Sequence, residues 1–242
     1  MTNPPRIIAL LAFHNEMEFL PGYIINVQSQ VDGIVALDDG STDGSGDFVE
    51  RQQNVLELVR LPARTPHVWD EPNNRKMLVA AGRKYKPDWF VAVDADERLE
   101  KDFRERASRE TERADREALP ALSVNIRELW NSPVHYRSDG NWGTKRHARL
   151  FRDRDDAELD PTALHGHWAP LNSKSGGGYP AGDLNVYHLR MIDAGRRQGR
   201  RDRYETLDPE NQYQTFGYGH LTDETGLELQ PLPAGREYEP LP

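Results

Sequence analysis

The chain has 242 residues and no cysteine, which excludes disulfides, thiolate zinc sites and a cysteine nucleophile. A net charge of -9 argues against a nucleic-acid binder, and the longest apolar run near the N-terminus, Ile7 to Phe13, is too short to span a bilayer. A soluble, cytoplasmic protein built as one large α/β domain is therefore expected.

Ile7 to Phe13 reads as a first buried strand, and it ends in the polar cluster His14, Asn15 and Glu16. From Met17 to Val27, apolar residues recur at three- and four-residue spacing and predict a helix whose start is blurred by Pro21 and Gly22. Val31 to Leu37 is a second strand. It runs into Asp38-Asp39-Gly40-Ser41-Thr42-Asp43-Gly44, where Gly40 permits a turn and Ser41, Thr42 or Asp43 can cap a helix through Phe48 and Val49. Leu56 to Leu61 predicts another strand, and Asn74 to Lys84 a helix with Met77, Leu78 and Ala81 on its buried side.

Trp89 to Val93 shows no polar alternation and reads as a strand buried on both faces. Asp94, Asp96 and Glu97 follow it directly. Their mutual repulsion is costly unless a cation lies among them, and hard oxygen ligands suit Mg²⁺ or Mn²⁺; the plainer alternative is that the two aspartates cap the next helix. Alternating strands and helices predict a parallel sheet with right-handed crossovers, with ligands beyond the carboxyl ends of its strands.

The second half is less regular. Lys101 to Glu117 alternates acids and bases with almost no apolar stripe and predicts a solvated helix, and Ala121 to Ile126 predicts a strand. Asn131 to Lys145 is a loop by composition, its His135, Tyr136 and Trp142 suited to stacking on a sugar or acceptor. Ser173 to Gly182 is glycine-rich without being a Walker loop, and reads as a mobile lid. Leu184 to Tyr187 is a short strand delivering His188. Six arginines from Arg190 to Arg203 face only Asp193 and Asp202, a basic segment suited to a diphosphate, an anionic acceptor or a membrane surface. From Leu207 onward an extension wrapped over the domain, with a frayed end, is expected.

The apolar strand entering Asp38 to Gly44, the later strand entering Asp94-Ala-Asp-Glu97, and the opening strand with His14-Asn15-Glu16 together resemble the family 2 glycosyltransferases of the GT-A fold. The resemblance covers roughly the first hundred residues. It implies an α/β fold, a mostly parallel sheet flanked by helices, in a single domain: a nucleotide-sugar-binding half over 1–97, an acceptor and metal half over 98–190, and a basic segment with C-terminal extension over 191–242. It implies a nucleoside-diphosphate sugar as donor, a glycan or small molecule as acceptor, and Mg²⁺ or Mn²⁺ on the diphosphate.

Residue by residue, His14, Asn15, Glu16 and Asp39 are expected to line the nucleoside pocket, with Arg75, Lys76 and Asp94 at the donor. Asp94, Asp96 and His188 are the expected metal ligands. Ala148 to Arg152 followed by Leu164-His-Gly-His167 resembles a lipopolysaccharide-core-like branch in which a His-Glu pair follows a Leu-Phe-Arg strand. Gly166 stands where that glutamate is expected. The resemblance implies an inverting enzyme but leaves its base open among Glu97, Asp160, His167 and Asp183. Rival expectations are a nucleotidyltransferase, a haloacid-type phosphatase, and a binding protein of the same fold without turnover.

Overall fold

The computed structural model describes residues 4–241. Its strands are β1 (Ile7–Phe13), β2 (Gly33–Asp38), β3 (Val55–Arg60), β4 (Trp89–Ala92), β5 (Glu97–Leu99), β6 (Ala121–Glu128), β7 (His135–Arg137), β8 (Arg146–Arg152), β9 (Ala181–His188) and β10 (Leu229–Pro231). Its α-helices are α1 (Leu20–Val27), α2 (Ser45–Glu50), α3 (Glu71–Arg83), α4 (Phe103–Arg116) and α5 (Ala194–Leu207). Eight strands form one sheet in the order β3-β2-β1-β4-β8-β6-β9-β5. Strands β3, β2, β1 and β4 are mutually parallel, as the strand-helix alternation predicts, and β6 and β9 form a second parallel pair. Antiparallel β8 lies between β4 and β6, so all these parallel strands point their carboxyl ends to one edge.

Period-two alternation divides the core. Ile7, Ala9, Leu11 and Phe13 of β1 face α1, α2 and α4, whereas Ile8 and Leu10 face Leu78, Val79 and Ala81 of α3. Helix α1 begins later than expected, with Pro21 in its first turn, where the missing N–H costs nothing. Helix α3 begins earlier, because the Asp70 side chain accepts from the Asn73 N–H and caps it.

Two expectations need correction. Helix α4 is not solvated all round: Phe103, Ala107, Thr111 and Ala114 form a buried stripe in which the three residues after Phe103 are too small or too polar to stand out among charges. The expected loop from Asn131 to Lys145 contains a strand, since β10 of the C-terminal extension pairs with β7 inside it, and Tyr238 of the extension stacks on Tyr187 with ring centres 5.1 Å apart. The glycine-rich segment makes a tight turn closed by Ser175 and Gly178, and Tyr179 is its contribution to the central cleft. No helix among the described residues is long and apolar enough to cross a membrane.

Candidate active site

A cleft of about 1200 Å³ opens at the shared carboxyl edge of β1, β4, β6 and β9. At one end the His14-Asn15-Glu16 turn is laced to the Asp38 to Gly44 turn. The Asn15 N–H donates to Ser41 Oγ (2.9 Å), its Oδ1 accepts from the Thr42 N–H (2.8 Å), and the Glu16 N–H donates to Ser45 Oγ (3.0 Å). Gly40 has φ of 76°, and a Cβ there would lie 2.8 Å from the Pro62 carbonyl, so the following loop can press against the turn only because the residue is glycine.

That loop covers Asp39. The fully buried carboxylate accepts from Arg64 Nη2 (2.7 Å), His67 Nε2 (3.1 Å) and Asn74 Nδ2 (3.3 Å). His67 in turn stacks on His14 with ring centres 3.6 Å apart, and Trp69 stands beside it. Asp39 was expected to meet a nucleobase; as placed, it sits behind the two imidazoles and holds them. Asn15 likewise braces the turn, while His14 and Glu16 line the cleft.

The centre of the cleft is a network of charge. In register, β6 sets Glu128 beside His188 of β9, and β5 sets Glu97 on its other side. His188 bonds Glu128 through Nδ1 and Asp96 through Nε2 (3.1 Å). Arg190 grips both oxygens of Glu16 and also donates to Asp96. Arg149 donates to Asp94 and to Glu97, each at 2.8 Å, and Lys145 pairs with Glu128. Arg200 lies against the His188 ring, 3.0 Å from Nε2. Five carboxylates, Glu16, Asp94, Asp96, Glu97 and Glu128, thus meet five cations, Lys145, Arg149, His188, Arg190 and Arg200.

Burial alone would lower the His188 pKa, but Glu128 and Asp96 override it and raise the group to about 9. Burial would raise Asp96, yet Arg190 and His188 hold its carboxyl well below the usual range. Because the fold favours the imidazolium, the stabilisation from His188 is complete below its ordinary value of 6.5 and lost as pH rises through about 9. Urea midpoints are therefore expected to fall more steeply from pH 6.5 to pH 9 in the wild type than in His188→Gln, where only groups such as Glu97, raised to about 7, still titrate in that window. Equal slopes for the two proteins would show that His188 carries no such charge.

Each of the expected metal ligands is engaged by a charged side chain of the protein, so the charge that would attract Mg²⁺ or Mn²⁺ is already answered. Asp96 and His188 meet each other, but both ring nitrogens are bonded to carboxylates and Asp96 also takes Arg190. Asp94 points to Arg149 instead. Among the described residues no group of three or more His, Asp and Glu side chains is arranged to hold a metal ion.

Arg75, expected at the donor, lines the cleft but spends its terminal nitrogens on the protein: Glu71 (3.1 Å) and the Asp160 and Thr162 carbonyls (both 2.9 Å). Its guanidinium also explains Gly166. A Cβ at that position would come within 2.5 Å of Arg75 Nη2 and 2.9 Å of the Thr162 carbonyl, so the family's glutamate has no room. Lys76 is an exposed residue of α3.

Of the four candidate bases, Asp183 is excluded by position. It lies outside the cleft at the opposite end of β9, paired with Arg236. Asp160 accepts from the Thr162 and His167 N–H groups and fixes its own loop. Burial pushes Glu97 up to about 7, a value suited to a base, but its oxygens face Arg149 and the Asp94 N–H. His167 opens into the cleft beside Tyr179.

Glu128 and Arg149 belong to this site although nothing in the sequence analysis assigned them a role. Glu128 carried a usable signal, an acid ending an apolar strand as at Asp38 and Asp94. His67 and Arg64 lie in a stretch without periodicity and carried none.

This sheet order and cleft define a GT-A-type α/β fold. Among solved structures, TarS of S. aureus in complex with UDP-GlcNAc matches with a TM-score of 0.51 at 10% identity, over 91% of this chain and 74% of that one. Another S. aureus TarS structure matches at 0.50 and 11% identity, over 84% of this chain and 40% of that one. No protein-family model matches. Uncharacterized proteins of Mycobacterium tuberculosis and Mycobacterium bovis are each 27% identical over 238 residues, 92% of this chain and 57% of theirs. The chain thus spans little more than half the length of these curated relatives.

Proposed function

We propose that the chain is a glycosyltransferase that moves a sugar from a nucleoside-diphosphate sugar to an acceptor hydroxyl, with inversion at the anomeric carbon. One observation carries this: a single cleft at the carboxyl edge of a GT-A sheet is aromatic at one end, with His14, His67 and Trp69, and cationic at its centre, with Arg190, Arg200 and Arg203. A nucleobase stacks on rings of that kind, and a diphosphate is held by guanidinium groups. The TarS structure of the same fold carries UDP-GlcNAc, which supports a nucleotide sugar as donor here.

In the proposed reaction the acceptor oxygen bonds to the anomeric carbon as the bond to the diphosphate breaks. The hydroxyl proton passes to a base, and the charge gathering on the departing diphosphate is met by arginine. His167 is assigned as that base. Burial, aided by the charge of Lys174, lowers its pKa below 6.5, so at neutral pH the ring is uncharged and able to accept a proton.

Release of nucleoside diphosphate from UDP-, GDP-, CDP-, ADP- and dTDP-sugars in the presence of glycan acceptors tests the activity; no release and no nucleotide binding would remove it. His167→Gln is expected to lower kcat by about a hundred- to ten-thousandfold while nucleotide affinity stays unchanged. In the wild type, kcat/KM should fall as pH drops through the His167 pKa. An unaltered kcat in the variant would return the role of base to another residue.

A further inference from the structure

Helix α5 presents five arginines, and three of them are answered by carboxylates outside the cleft centre: Arg196 by Glu18, Arg197 by Glu224 and Arg201 by Glu205. The other two, Arg200 and Arg203, are three residues apart on one face, and both line the cleft. Neither forms an ion pair among the described residues. The carboxylates near Arg200, Asp96 and Glu128, are already taken by Arg190, His188 and Lys145. The Arg200 Nε is buried with no hydrogen-bond partner, and one terminal nitrogen rests against the imidazole of His188. A half-buried guanidinium whose buried Nε has no acceptor, next to an imidazolium, is costly unless an anion completes it. The unanswered charge is confined to the cleft side of the helix.

On the footing of the donor chemistry proposed above, we infer that Arg200 and Arg203 take the part expected of a divalent cation: they bind the donor's diphosphate directly, and donor binding requires no metal. The pairing of Asp94 with Arg149, and of Asp96 with Arg190 and His188, agrees with this, because the carboxylates that would hold a metal are already neutralised by side chains. In this arrangement their work is to orient the cations. Guanidinium groups deliver both charge and directed N–H donors to phosphate oxygens, as a metal delivers charge and coordination.

Calorimetric titration of the full chain with UDP, GDP, CDP, ADP and dTDP, first in EDTA and then in excess Mn²⁺ or Mg²⁺, tests the inference. At least one nucleotide is expected to bind in EDTA with a Kd that metal changes by less than about threefold, and Arg200→Ala and Arg203→Ala are each expected to weaken it by about tenfold or more. Arg201→Ala, on the solvent side, should leave it unchanged. Arg203 is exposed, so its variant folds even if the Arg200 one does not. Binding seen only with metal, or wild-type affinity in the folded arginine variants, overturns the inference and leaves the donor assignment standing. No binding under either condition removes the donor assignment and the inference with it.

Discussion

Asp96→Ala is expected to lower kcat by about a hundred- to a thousandfold and to cost about 3–5 kcal/mol of stability. Asp96 is only 7% exposed and is the junction between Arg190 and His188. Truncating it leaves a guanidinium and an imidazolium facing each other in the interior, with Arg200 adding a third positive charge. Removing one partner of a buried ionic cluster is more damaging than never having built it, because the remaining charges have lost their hydration and gained nothing. The catalytic loss follows from geometry: Arg190 is held by Asp96 on one side and Glu16 on the other, and without Asp96 only Glu16 holds it, so the guanidinium is drawn away from the centre of the cleft. Asp96→Asn keeps the shape and one acceptor oxygen, so it should recover part of the stability and less of the activity. Chemical denaturation together with donor turnover checks both, and a variant with wild-type midpoint and kcat would show that the network does not organise the site.

The strands and helices of the first half were legible because burial writes itself as continuous apolar runs there. Each run from Ile7 to Val93 is bounded by turn residues, and the acids that follow mark the edge where the cleft lies. Beyond Val93 the signal weakens for identifiable reasons. Short β5 consists of Glu97, Arg98 and Leu99, whose charged members are buried by pairing, and hydropathy does not encode pairing. The stripe of α4 uses alanine and threonine, and β7 and β10 are three-residue strands that form only because they find each other across about ninety residues of chain.

The site was half legible for a related reason. Acids at strand ends were visible, whereas their partners were not, since Arg149, Arg190 and Arg200 come from β8, the segment after β9 and α5. Three close carboxylates demand a cation, and sequence spacing cannot say whether it is a metal or an arginine folded in from elsewhere. Gly166 shows the same limit: its departure from the resembling family was readable, but its cause, the Arg75 guanidinium, is a tertiary contact.

Asp39→Ala is expected to cost about 3 kcal/mol or more, by stripping three donors of one buried acceptor, and to weaken UDP binding by about tenfold. Arg64 and His67 come from a loop with no strand or helix of its own, and Asp39 is what ties that loop to the sheet. Asn74, buried in α3, loses the acceptor for its amide as well, and its own Oδ1 already lacks a partner. His67 then has nothing to keep it stacked on His14, and the aromatic end of the cleft opens. The arginines of α5 stand apart from this loop and keep their arrangement. Inorganic pyrophosphate should therefore bind Asp39→Ala as it binds the wild type, while UDP binds more weakly, a split that simple loss of folded protein cannot produce. If both ligands weaken together, the two ends of the cleft are not the separate base and diphosphate subsites proposed here; if neither weakens, the imidazole stack does not receive the nucleobase.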